Sequence, residues 1–192
     1  MARPNRLNVK TRPVFCEGAL AAVISPETAL RCTVYAGLLS ENQFLAHGSA
    51  VADRIAWLVP QVDAATVAAL AVEARERTQL CFVPLLLVRE MARHASHRAQ
   101  VAATLARVIQ HANEIADFVA IYWKDGRQPL SAQVKKGLAA AIAKFDGYEL
   151  AKCDPAGFVL LRDVLFLCHP RPRNITQEVL WKQLADASSR RQ

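Results

Sequence analysis

The sequence predicts an all-α fold, built as antiparallel helical repeats that form a partial arc. Three observations carry this. The apolar fraction is 53%, but much of it is alanine, with only seven glycines and 7% aromatics, a mixture that favours packed helices over a sandwich or barrel. Apolar residues recur at helical spacing in stretches of about 10–15 residues, the periodicity of helices with one buried stripe. Short polar breaks separate these stretches, as in pairs of antiparallel helices stacked side by side. No repeat period is visible in the letters themselves.

Taken in order, Ser25-Pro26-Glu27 starts the first helix with an N-cap serine, a proline at the first helical position and an acid in the first turn. That helix runs to Leu39. A break over Ser40–Gly48 precedes a helix containing Ile55, Trp57 and Leu58, stopped by Pro60. Asp63 caps the next, whose stripe is Val67, Leu70 and Ala74 and whose end carries Glu73, Arg75, Glu76 and Arg77. Helices over Cys81–Arg93 and Ala99–Gln110 follow. Asn113 caps Glu114–Trp123, with Ile115, Phe118, Val119 and Tyr122 on one face. After a loop at Lys124–Leu130, Ser131 caps Ala132–Phe145, whose stripe is Val134, Leu138, Ile142 and Phe145. A short helix near Tyr148–Lys152, a longer one over Phe158–Cys168 and a last one over Thr176–Ala187 complete the chain.

Charge is polarised along the 192 residues. The net +7 divides into +4 over residues 1–12, −2 over 13–119, +4 over 120–173 and +1 over 174–192. A basic arm (1–17) and a basic segment near the C-terminal end, rather than a uniform excess, point to a polyanionic partner. The cations of that segment sit on three neighbouring predicted helices: Lys136 and Lys144, eight apart with Lys135 beside them; Lys152; and Arg162, on one face with His169, beyond which Pro170 stops the helix and Arg171 follows. Cations at a helix C-terminus complement the dipole for about 0.3–1 kcal/mol each. That accounts for one or two of them, whereas a site built from Arg, Lys and His donors suits phosphates and unstacked bases.

Other chemistry is poorly represented. Glu90, His94 and His97 stand at i, i+4 and i+7, but without a further ligand they read as a solvated polar face near a helix end, and no metal or other cofactor is expected. Phosphate-binding, dinucleotide-binding and nucleophile-elbow glycine motifs are absent, so no enzyme is indicated. The five cysteines form no C-x-x-C pair and read as buried free thiols. The longest apolar run, Leu80–Val88, is too short to span a membrane, and the N-terminus lacks the apolar core of a secretory signal, so a cytoplasmic location is expected.

The stretch VKKGLAAAIAKFDGYELAKC (Val134–Cys153), followed by LRDVLFLCHPRP (Leu161–Pro172), resembles the core of the TROVE module of the Ro autoantigen and its bacterial relatives. LLSENQFLAHGSAVADRIAWLV and VEARERTQLCFVPLLLVREMARH sit in the expected order before it, so the resemblance extends over a TROVE-like domain at 18–187, with a short tail at 188–192. It implies a fold of HEAT-like helical repeats that close into a ring, and non-enzymatic binding of small non-coding or misfolded RNA. It carries Lys152, Arg162 and His169 over as RNA contacts; Lys136, Lys144 and Arg171 join them on local charge. The chain departs from the family pattern at Cys153-Asp154-Pro155 and at Phe166. It also lacks the D-x-S-x-S site of the von Willebrand A-type domain: Asp186-Ala187-Ser188-Ser189-Arg190 fails at its last position. A truncated form is therefore expected. A helical scaffold that supplies part of a ring to a protein partner is the alternative reading.

Overall fold

A computed structural model describes residues 24–39, 44–78, 81–123, 129–168 and 182. These residues are helical throughout, without a strand among them: α1 (Pro26–Leu39), α2 (Phe44–Leu58), α3 (Ala64–Arg77), α4 (Phe82–Arg93), α5 (Arg98–Val108), α6 (Asn113–Tyr122), α7 (Ala132–Ile142), α8 (Gly147–Cys153) and α9 (Pro155–Cys168). The odd-numbered helices α1, α3, α5, α7 and α9 touch in succession as one row, and α2, α4 and α6 touch as a second row.

Local signals set most boundaries. Ser25 Oγ accepts from the Thr28 amide at 3.2 Å, Asp63 from Thr66 at 2.8 Å and Ser131 from Val134 at 3.3 Å, each satisfying an orphan N–H of a first turn. Several boundaries differ from expectation, among them the end of α7 at Ile142 rather than Phe145. The second helix begins at Phe44 rather than after Gly48. Helix α2 ends at Leu58, in keeping with the expected stop at Pro60, which sits in a 3-10 turn, Val59–Gln61. Asn113 is the first residue of α6 and not its cap; the carboxylate of Glu114 reaches back to the amides of Gln110 (2.6 Å) and His111 (3.1 Å) instead. Asp154 accepts from the Gly157 amide at 2.9 Å, so the last described helix starts at Pro155. The predicted helix over Thr176–Ala187 lies outside the described residues, apart from helical Lys182.

Burial follows the predicted stripes, with Val67, Leu70, Ala74, Ile115, Phe118, Val134, Leu138 and Ile142 all inside the core. Helix α4 is enclosed on every side: each residue from Val83 to Ala92 is buried. That helix therefore carries charged groups into the interior. Glu90 is only 2% exposed; it accepts from Arg89 Nε at 2.6 Å and from Arg93 at 3.1 Å. His97, also 2% exposed, bonds the Val62 carbonyl through Nε2 and Ser96 through Nδ1, both at 2.9 Å. The expected solvated Glu90/His97 face is corrected: these are interior groups held by their own partners.

The cysteines are corrected in part. Cys168 is buried and Cys81 half-buried, but Cys32 and Cys153 are exposed, and all four thiols are free. Burial pushes the Cys81 and Cys168 thiols up to about 11, leaving them protonated at neutral pH, where only a thiolate attacks. Treatment with a maleimide at pH 7 is accordingly expected to modify Cys32 and Cys153 well before Cys168. Peptide mapping that finds Cys168 labelled as fast as Cys153 in the folded protein would contradict this.

Between α1 and α3, Glu73 accepts from the Tyr35 hydroxyl at 2.7 Å, Arg31 at 3.2 Å and Arg77 at 2.9 Å. The Tyr35 hydrogen bond, then Arg77 and Arg31, hold this carboxyl below the usual range. A depressed folded pKa stabilises above the unfolded value of about 4.3 and fades as the pH falls through the depressed one. Glu73→Gln should therefore destabilise at pH 7, and its denaturation midpoint should converge on that of the parent protein in acid. A gap that stays constant with pH would show that the carboxylate's charge plays no part.

Candidate nucleic-acid interface

Three of the predicted cations, Lys136, Lys152 and Arg162, sit on α7, α8 and α9. Lys136 lies in the first turns of α7 and is exposed; Lys152 lies in the last turn of α8 and is exposed. Neither meets a carboxylate within ion-pair distance among the described residues. The acids nearby are used otherwise: Asp146 accepts from the Glu149 amide at 3.2 Å and Asp154 from the Gly157 amide at 2.9 Å. Helix starts stabilise such anions by direct hydrogen bonds and by the dipole. The exposed carboxylate of Glu149 lies one turn before Lys152 on α8 but outside ion-pair distance of it.

The other positions behave differently. Lys144 Nζ donates to the carbonyl of Ala106 and, at 3.2 Å, to that of Ile109. It thus serves the C-terminal end of α5, where orphan carbonyls and the negative end of the dipole both attract a cation. Burial lowers its pKa, opposed by the charge of Glu114. Arg162 is half-buried and gives Nε and one terminal nitrogen to Asp163 at 3.2 and 3.1 Å. His169 and Arg171 lie outside the described residues.

The four described positions, Lys136, Lys144, Lys152 and Arg162, are spread apart. Lys136 lies within α7, whereas Lys144 lies in the turn after it. Lys152 precedes α9, whereas Lys135, half-buried on α7, lies near enough to Cys168 at the other end of α9 to oppose the rise of its pKa. From Pro155 to Cys168 is about 20 Å. Arg162 on α9, Lys152 before its start and Lys135 near its far end are therefore spread along α9, while Lys144 serves the end of α5.

Sequence reasoning missed a buried charge pair that joins three helices. Arg75 and Glu114, each 3% exposed, meet at 2.6 Å. Arg75 also donates to the Val108 carbonyl at 3.1 Å and to that of Thr78 at 2.7 Å, so the pair ties the end of α3, the end of α5 and the start of α6. Their separation of 39 residues leaves no local signal. Sequence reasoning also grouped Trp57 with Ile55 and Leu58, whereas α2 buries Ala52, Ile55 and Leu58 and leaves Trp57 exposed.

In α1–α6 the cations are largely consumed: Arg31, Arg75, Arg77, Arg89 and Arg93 pair with Glu27, Glu73, Glu90 or Glu114, and Arg54 lies over Trp57. Arg98 and Arg107, exposed on α5, also meet no carboxylate within ion-pair distance among the described residues, so the contrast with Lys136 and Lys152 is one of degree.

No protein-family model, curated protein or solved structure matches the chain.

Proposed function

We propose that this protein binds RNA without catalysing a reaction on it, using Lys136, Lys152 and Arg162 as phosphate contacts on an arc of HEAT-like helical repeats. Lys135 reinforces this set, and His169 and Arg171 extend it beyond α9. The observation that carries the reading is the exposure of Lys136 and Lys152 without a carboxylate partner among the described residues, in a segment of net +4. An extended set of cations favours a chain of phosphates over a compact anion, because a single phosphate reaches only one or two of these positions. The contact of odd-numbered helices in one row and even-numbered helices in another supports the repeat arrangement. The TROVE-like stretch from Gln133 to Pro172 points to small non-coding or misfolded RNA as the partner and to a cytoplasmic setting. Lys144 holds the end of α5 and contributes to the field without gripping RNA.

The test compares the parent protein with Lys136→Glu/Lys152→Glu, titrated into a fluorescently labelled single-stranded RNA and followed by anisotropy. Both side chains are exposed, so helicity should be unchanged while affinity falls by about tenfold or more, similarly across RNA sequences. Equal affinity of the two proteins, or a protein companion that co-purifies stoichiometrically in place of RNA, would favour the scaffold reading.

A further inference from the structure

We infer that Trp57, with Arg54, forms a stacking platform for an unpaired base of the bound RNA, a contact on α2 separate in the chain from the cations of α7–α9. The inference rests on the RNA-binding reading above. Trp57 is 56% exposed; among the described residues the only other large apolar side chain so placed is Val159, at 40%. An indole in water is not required by the fold, since α2 buries Ala52, Ile55 and Leu58 on its inner stripe.

Its surroundings narrow the occupant. The guanidinium carbon of Arg54, three residues earlier, lies 5.9 Å from the ring centroid, within the range of a cation–π contact. Ala50, Asp53, Pro60 and Gln61, the exposed neighbours in the chain, give no large apolar rim, and a protein hot spot needs such a rim to exclude water around its anchor. One flat aromatic face beside one guanidinium is instead what successive nucleotides recognise, the base by stacking and its phosphate by charge. Asp53, one helical turn before Trp57, disfavours phosphate on its own side and leaves the Arg54 side for it.

The experiment follows tryptophan emission of the full chain during titration with oligouridylate, with linear polyphosphate as a probe that carries charge but no base. The expected results are quenching by oligouridylate and not by polyphosphate, loss of most of that quench in Trp57→Phe, and affinity at least about fivefold weaker in Trp57→Ala. RNA bound by Trp57→Ala as tightly as by the parent overturns the platform and leaves the function standing. Equal quenching by polyphosphate overturns it too, since the signal would then report charge alone. Absence of any binding to the parent protein removes both readings. Should Trp57→Ala fail to fold, Trp57→Phe keeps an aromatic ring at the site and the quench remains the readout.

Discussion

Glu114→Ala is expected to lower the stability of this protein by about 3–5 kcal/mol, the scale for removing one partner of a buried ion pair. Against a total of about 5–15 kcal/mol for a typical domain, that is a large fraction. The loss arises in three places. Arg75 stays in the core, 3% exposed, with a guanidinium nitrogen that had met a carboxylate at 2.6 Å. The amides of Gln110 and His111, which Glu114 capped at 2.6 and 3.1 Å, lose their acceptor. The junction of α3, α5 and α6 loses the group that joined it. Glu27→Ala is the control, because Glu27 pairs with Arg31 in solvent and such pairs contribute about 0–1 kcal/mol. Urea denaturation followed by circular dichroism measures both. A Glu114→Ala loss no greater than that of Glu27→Ala would show that the pair is hydrated in solution.

Gly137→Leu carries the second large effect, at a helix crossing. A Cβ at Gly137 would stand 3.0 Å from Leu105 Cβ and 3.1 Å from both the Cα and the carbonyl oxygen of Ala102. The latter two are backbone atoms of α5, and no rotamer change removes them. Larger side chains must therefore push α7 off α5, and overpacking of this kind costs about 1–3 kcal/mol or more. Gly137→Ala gives the sharper sign. In an exposed helix it would stabilise by about 0.5–1 kcal/mol through lower backbone entropy in the unfolded chain; here the clash should offset that gain and make the variant less stable than the parent. A Gly137→Ala protein with a raised denaturation midpoint would mean that α5 and α7 approach less closely than described.

These two sites also show what was readable in the letters. Caps were legible because they act over three residues, as at Ser25, Asp63 and Ser131. Core stripes were legible because burial imposes the helical period, as in Val134, Leu138 and Ile142. Arg75 looked like one charge among several at a helix end, and only the packing of α5 and α6 against α3 reveals that it is buried. Glu90 and His97 misled because their spacing assumes one continuous helix, whereas α4 ends at Arg93 and His97 closes a 3-10 turn, and their burial depends on neighbouring elements. In the candidate site, exposure of Lys136 and Lys152 could be read from the apolar stripes they avoid. The engagement of Lys144 by Ala106 and Ile109 could not, since it spans more than thirty residues.

The account depends most on solvent-facing cations of the last helices meeting phosphate. Its most direct test is the salt dependence of RNA affinity, measured between about 50 and 200 mM salt. Three to four single-strand phosphate contacts give a log–log slope of roughly −2 to −3, and Lys136→Glu/Lys152→Glu should flatten it by about 1.4, from roughly 0.7 per contact. A slope near zero for the parent protein, or one that the double substitution leaves unchanged, would contradict it.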